Sequence, residues 1–237
     1  MRKTLVTLAL AATAVMSSHA QGWVIFANSV TTRVSTNAIA GGAATGMTSA
    51  SAGSLYYYAL FSSTATQNVG GATNAVVGAA GGTYAFNDGN WYFNNATGAG
   101  ANYLGPDYGT NILTAGRFAS TVGDTANNSG GTIVNSGASQ SFVVIGWSAN
   151  IGSTLAQLMT WYNTAGHLGI DGWVGESATS AFMTPGSGGL STPPGIFGTG
   201  SGLIPGFTLG LVIAPEPSTI ALAGLGGLSL LLFRRRK

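Results

Sequence analysis

The sequence predicts a mainly β protein: an antiparallel β-sandwich with one short amphipathic helix, plus an N-terminal signal peptide and a C-terminal transmembrane helix. Three observations support this fold class. Six short runs rich in aromatic and β-branched residues are bounded by Gly, Ser, Asn and Pro, as strands usually are. Gly supplies 38 of the 237 residues and charged residues only 6%, against about 25% in typical soluble domains. A single segment has apolar residues at helical spacing.

The predicted strands are runs of four to seven residues, with one shorter run of three, at 23–27, 55–61, 83–86, 91–93, 142–147 and 207–213. The runs at 55–61 and 142–147 are apolar on both faces, which indicates central strands covered on each side. Asp88-Gly89 separates the third and fourth runs and predicts a tight hairpin between them. Because a sheet with one apolar face must bury it against another layer, we expect a β-sandwich.

The helix is predicted to start at Thr154, because Thr154 and Gln157 form a capping box. The apolar positions 155, 158, 159 and 162 repeat at i, i+3, i+4 and i+7. This stripe is typical of a helix packed on a sheet, and Gly166 marks its end.

Residues 1–20 have the three parts of a secretory leader: the cations Arg2 and Lys3, an apolar run at 5–16, and Ser18-His19-Ala20 as a small-x-small site. Cleavage is expected between Ala20 and Gln21. The alternative, a short membrane anchor, fits less well because the run is too short to span a bilayer. The secretion translocon and a leader peptidase are therefore expected partners.

Residues 215–237 have a second composite pattern. Pro215-Glu216-Pro217 is followed by an uncharged helix at about 218–233 and by the cluster 234–237, which contains Arg234, Arg235 and Arg236. The prolines prevent a helix from starting earlier. Sixteen helical residues span about 24 Å, somewhat short of a hydrocarbon core of about 30 Å. We expect this helix in the inner membrane with its cations on the cytoplasmic side.

This order of Pro-Glu-Pro, small apolar helix and terminal arginines resembles the PEP-CTERM sorting signal of exported bacterial envelope proteins. The resemblance covers about the last two dozen residues and implies nothing about the domain at 21–214. It implies that an exosortase-type transpeptidase is a partner and processes a membrane-anchored precursor near Pro215, Glu216 and Pro217. The product would reach the cell envelope, the outer surface or an exopolysaccharide matrix.

The charges between leader and tail argue against binding to nucleic acid. Two cations, Arg33 and Arg117, face five carboxylates, which leaves this region a net charge of −3 and no basic patch for a phosphate backbone. The absence of cysteine excludes disulfides, thiolate zinc sites and cysteine nucleophiles. We expect no metal site and no cofactor.

Two catalytic arrangements were considered, and neither is complete. Ser148, His167 and Asp171 could form a hydrolase triad, but Asn150 replaces the last Gly of a Gly-x-Ser-x-Gly elbow. Asp171 and Glu176 flank Trp173 in an apparent loop at 167–177 and could act as paired acids. A turn is the simpler interpretation of Asp171-Gly172. The sequence therefore predicts no catalytic residue in this chain.

The aromatic residues leave a binding role open. Trp23, Trp147 and Trp161 are expected to be buried, whereas Trp173 could be an exposed ring for sugars. His167, Asp171, Trp173 and Glu176 form a possible ligand loop. We expect a non-enzymatic structural protein of the envelope or matrix. The alternatives are a carbohydrate-binding module acting on the cell's exopolysaccharide and, less favoured, a secreted hydrolase.

Overall fold

The computed structural model describes residues 22–38, 43–49, 55–70, 83–94, 108–120, 131–134, 138–187, 193–215 and 225. Within these residues the protein is mainly β with one short helix, which confirms that part of the predicted fold class. The predicted signal peptide and its cleavage site at Ala20 and Gln21 lie outside the described residues, as does the predicted membrane helix at 218–233 apart from position 225. No helix among the described residues is long and apolar enough to cross a membrane.

The described strands form two sheets. They are β1 (Gly22–Ile25), β2 (Ser35–Thr36), β3 (Gly46–Met47), β4 (Tyr56–Ser63), β5 (Tyr92–Phe93), β6 (Tyr108–Asn111), β7 (Phe118–Ser120), β8 (Gly131–Val134), β9 (Ser141–Ser148), β10 (Gly172–Glu176), β11 (Gly186–Ser187) and β12 (Thr208–Val212). The main sheet has the order β3-β2-β12-β10-β9-β4-β6-β7, with β5 paired to β4, and the small sheet has the order β11-β1-β8. In the main sheet all strand pairs are antiparallel except β12 with β2.

The two runs predicted to be central strands, 55–61 and 142–147, are central. β4 and β9 pair over eight residues in antiparallel register, and every residue of β9 is buried. Their side chains alternate between two apolar clusters on opposite faces of the main sheet. Val143, Ile145 and Trp147 face the first cluster, whereas Phe142 and Val144 face the second. A strand that is covered on both faces needs apolar residues at every position, which is the pattern seen in the sequence.

The main sheet curls into a half-barrel, where a β-sandwich was expected. Strand twist accumulates across the nine strands, so one sheet wraps around much of the second apolar cluster. β1 covers this cluster from the small sheet, with Val24 on its buried face.

The segment after β1 joins the two ends of the curled sheet. Asn28 is buried, and its side-chain hydrogen bonds hold this segment against the ends of the sheet. Its side-chain amide donates to the carbonyl oxygens of Thr32 and Gly116, at 2.8 Å each. Its Oδ1 accepts the Phe118 amide of β7 at 2.8 Å, and Val34, just before β2, donates its amide to the Gly116 carbonyl.

The predicted helix is present as α1 (Leu155–Asn163). The Thr154 capping box forms, with both the side chain of Thr154 and that of Gln157 accepting backbone amides. Leu155, Leu158 and Trp161 are buried in the first apolar cluster. The helix ends at Asn163 with Thr164 as its C-cap, so Gly166 lies just beyond the helix, as expected.

The predicted hairpin around Asp88-Gly89 is wrong. Residues Ala85–Asn87 form a 3₁₀ turn, and β5 pairs with β4 at Phe61 and Ser62. The reason is tertiary: the Ala85 amide donates to the buried carboxylate of Glu176 at 2.7 Å. Because that amide is already used, residue 85 has no donor for a strand ladder with β5.

Candidate functional site: the 167 to 176 segment and the sorting tail

The predicted ligand loop at 167–177 is a short turn followed by a strand of the main sheet. β10 (Gly172–Glu176) pairs with β9 on one side and β12 on the other. Gly172 suits this position because a Cβ there would lie 2.6 Å from the Ile151 side chain. The interpretation of the whole segment as a loop is therefore wrong.

The turn before β10 has an uncommon backbone. Gly166, His167, Leu168 and Gly169 all have positive φ angles, with 48° at His167 and 54° at Leu168. Side chains with a Cβ rarely adopt this conformation. The His167 ring lies 4.8 Å from the Trp161 ring between centroids, and its Nδ1 is 3.4 Å from the Trp161 carbonyl oxygen. His167 thus packs against the end of α1.

Trp173 is half-buried and packs against the second apolar cluster. Its indole N–H donates to the Asn37 carbonyl at 2.9 Å, and its backbone amide donates to Ser148 Oγ at 2.9 Å. A sugar platform needs an exposed ring face beside free polar groups. Since the indole N–H donates to Asn37, Trp173 connects β10 to the segment after β2.

Glu176 is fully buried at the end of β10. Burial raises its pKa to about 8, the Ala85 amide opposes this rise, and the charge of Asp88 adds to it. One carboxyl oxygen accepts the Ala85 amide. The other, Oε1, has no hydrogen-bond partner among the described residues. At neutral pH the carboxyl is therefore mainly protonated.

The two acids that could have acted as a pair lie at opposite ends of β10. Five residues of extended strand separate Asp171 from Glu176, or about 17 Å. Asp171 is exposed, and Glu176 is buried. Paired acid catalysis needs both carboxyl groups within about 10 Å on one accessible cleft, and this arrangement does not supply it.

The hydrolase alternative depends on contacts between Ser148, His167 and Asp171. Ser148 Oγ accepts the Trp173 amide, and His167 contacts the Trp161 carbonyl. Asp171 Oδ1 accepts the Ala214 amide at 2.7 Å. Each side chain thus bonds a different backbone group.

In the described part of the chain, no group of three or more His, Cys, Asp or Glu side chains could hold a metal ion.

The bond from Ala214 to Asp171 fixes the point at which the chain leaves the domain. Ala214 is buried, and Pro215, the next residue, is exposed. Only one residue separates Ala214 from the end of β12 at Val212. Of the predicted sorting signal, Pro215 is described, whereas Glu216, Pro217 and Arg234 to Arg236 lie outside the described residues. The sorting segment therefore begins directly where the packed domain ends.

The described residues form a mainly β domain whose last packed residue, Ala214, leads directly into the segment from Pro215 onward. Residues 214–237 match the PEP-CTERM protein-sorting motif, which confirms the resemblance seen in the sequence. This motif implies an exported protein that is processed at the membrane, with an exosortase-type enzyme as the processing partner. No curated protein and no solved structure matches the chain.

The structural roles of two buried residues, Glu176 and Asn28, were not predicted from the sequence, although Glu176 was named as part of the possible ligand loop. Glu176 was predicted in an accessible loop, but no sequence signal distinguishes a buried protonated carboxyl from an exposed one. Asn28 lies in a polar Ser-Thr-Asn stretch that is typical of a surface loop. Its burial depends on contacts with residues about 90 positions away.

Proposed function

We propose that the mature domain is a non-catalytic structural component of the cell envelope or exopolysaccharide matrix. The observation that carries this proposal is the PEP-CTERM motif at 214–237, which follows the last packed residue of the domain. In this proposal the leader directs export through the translocon and a leader peptidase removes residues 1–20. The helix at 218–233 then holds the precursor at the inner membrane until an exosortase-type transpeptidase acts.

The contacts at the exit of the domain support this order of events. Asp171 holds the Ala214 backbone, so the domain remains closed up to the residue before Pro215. An enzyme that recognises Pro-Glu-Pro would therefore find Pro215 exposed without unfolding β12. A structural role is supported by the aromatic side chains, because Trp147 and Trp161 are buried in the first apolar cluster and contribute to packing.

Localisation of the chain in its own cells tests the proposal. Cells are fractionated and each fraction is probed with an antibody against the domain, which avoids an inserted tag. The wild-type chain is expected as a shortened product in the envelope or matrix fraction. A variant with Pro215→Ala and Pro217→Ala is expected as a longer precursor in the inner membrane. Thr219→Ser, a conservative change in the same tail, is the control and is expected to be processed normally.

Two results would contradict the proposal. One is a wild-type chain that remains in the cytoplasm with both ends intact. The other is normal shortening and delivery of the variant without the two prolines, because sorting would then not depend on the motif.

A further inference from the structure

A cleft of about 330 Å³ lies beside the start of β12, on the edge of the main sheet. Three of its lining residues carry hydroxyl groups: Thr31, Ser35 and Thr208. Ser35 and Thr208 contact each other through their hydroxyls at 2.7 Å. Ser35 Oγ also donates to the Phe207 carbonyl oxygen at 3.4 Å, and Thr31 Oγ1 contacts Ser29 Oγ at 2.8 Å. Because each hydroxyl has one proton and two lone pairs, these groups mainly offer acceptor positions to a polar ligand.

Two further lining residues are apolar and exposed. Val30 is 58% exposed and Met47 is 49% exposed, and both contribute to the cleft. Isolated exposed apolar residues are common on proteins. Here they line the same cleft as the hydroxyl groups and Arg33, so the cleft offers both C–H and polar contacts to a ligand.

Arg33 supplies the cation. Its Nε donates to the Val30 carbonyl at 3.1 Å, which ties the guanidinium to another lining residue of the cleft. Among the described residues its two terminal nitrogens have no hydrogen-bond or ion-pair partner. Those nitrogens form a planar fork that matches a carboxylate.

The backbone that carries Arg33 is held in place. A Cβ on Gly206 would overlap the Arg33 carbonyl oxygen, and a Cβ on Gly116 would lie 2.8 Å from the Arg33 Cβ. These close approaches clamp the residue from two sides. Together with the buried bonds of Asn28 to Thr32, they preorganise the arginine, which lowers the entropy lost on binding.

The charges around the cleft favour an anion. Arg117 is held at the same segment, where its guanidinium donates to the Asn28 carbonyl at 3.0 Å and 3.2 Å. The described carboxylates accept backbone amides elsewhere: Asp88 from Gly70, Asp171 from Ala214 and Glu176 from Ala85. Arg33 and Arg117 therefore both lie at the segment 28–34, and no carboxylate of the described residues lines the cleft.

We propose that this cleft binds a uronate unit, a sugar that carries a carboxylate, within an acidic polysaccharide. The guanidinium of Arg33 pairs with the carboxylate, the hydroxyls of Ser35 and Thr208 bond to the sugar hydroxyls, and Val30 and Met47 contact the C–H face of the ring. The volume lies at the lower end of small-ligand sites, about 300–1,000 Å³. This proposal rests on the proposed matrix role, because it names the polymer that the matrix component would hold.

The test is direct binding of polygalacturonate to the full-length chain in a nonionic detergent, measured by titration calorimetry. Dextran serves as the neutral sugar polymer and polyglutamate as the carboxylate polymer without sugar rings. Polygalacturonate is expected to bind, more weakly at higher salt, and at least about tenfold more tightly than either control polymer. Arg33→Gln is expected to weaken binding about tenfold or more, because a hydrogen-bonded charge pair is lost. Arg33→Lys is expected to have an intermediate effect.

Gln157→Glu is the matched control, because it changes the net charge by the same amount at an exposed helix position outside the cleft. It is expected to leave the affinity for polygalacturonate within about twofold of wild type, with thermal melting of all variants confirming the fold. Absence of polygalacturonate binding would overturn the proposal, as would equal binding of dextran or polyglutamate, or an unchanged affinity in Arg33→Gln. Because this measurement uses purified protein, its failure leaves the localisation result untouched and the two proposals fail separately.

Discussion

The buried carboxyl of Glu176 makes the stability of the domain depend on pH. Its pKa rises from 4.5 to about 8 on folding, chiefly through burial. Below pH 4.5 both the folded and the unfolded chain hold the proton. Between pH 4.5 and about 8 only the folded chain holds it, so the free energy of unfolding falls as pH rises. Above about pH 8 the loss is complete.

The size of the effect follows from the shift. One pKa unit corresponds to about 1.4 kcal/mol, so the shift amounts to about 5 kcal/mol across the whole window. The steepest fall is about 1.4 kcal/mol per pH unit. This loss is comparable to the total stability of many domains, about 5–15 kcal/mol.

Glu176→Gln tests this reasoning, because it keeps an oxygen that can accept the Ala85 amide and removes the ionisation. Urea unfolding is measured at pH 5 to 9 on the chain without leader and tail. The wild-type free energy of unfolding is expected to fall by several kcal/mol relative to that of the variant, with most of the difference in place by pH 8. Asp171→Asn, which removes an exposed carboxylate, is expected to retain the wild-type fall. Parallel pH profiles for wild type and Glu176→Gln would refute the reasoning.

Three further substitutions test the packing. Asn28→Ala removes three buried hydrogen bonds, and urea unfolding is expected to show a loss of about 3 kcal/mol or more; wild-type stability would contradict its role in joining the sheet ends. Gly146→Ala places a Cβ 2.8 Å from the Tyr58 ring, and an expected cost of about 1–3 kcal/mol in the same assay reflects overpacking, so a neutral result would mean that the ring moves freely. Thr154→Ala removes the cap of α1 and is expected to cost about 1 kcal/mol, whereas the exposed Thr160→Ala is expected to be nearly neutral; equal effects of the two would argue against the capping box.

The sequence was most informative where local pattern and burial agree. The residues of β4 and β9 are apolar on both faces because both faces of the main sheet are covered, so their central position could be predicted. The start of α1 could be predicted for a similar reason, since the Thr154 capping box depends only on residues four positions apart or fewer.

Elements that depend on distant contacts could not be predicted from local pattern. β10 contains two glycines and an acid among its five residues, a composition that is typical of a loop. It is a strand because β9 and β12 supply ladders on both sides. The hairpin at Asp88-Gly89 failed for the complementary reason: the chain does turn there, with the Trp91 amide donating to the Asp88 carbonyl, but without the positive φ angles of a hairpin turn. A carboxyl 91 residues away takes the amide of Ala85.

The Arg33 cleft shows the same limit at a site. Arg33 was noted only as one of two cations in the domain, because no motif surrounds it. Its orientation depends on Gly116 and Gly206, which are distant in sequence and have no side chains to reveal their role. A site built from close backbone approaches leaves almost no trace in residue types.

The place of β12 in the main sheet has a consequence for the timing of folding during export. This strand lies between β10 and β2, yet its residues, 208–212, are the last to emerge before the tail. Until they arrive, the early strand β2 and the later strand β10 have no common neighbour, and the second apolar cluster lacks Leu209. During the export that the sorting motif implies, the main sheet therefore closes only after residues 208–212 are available.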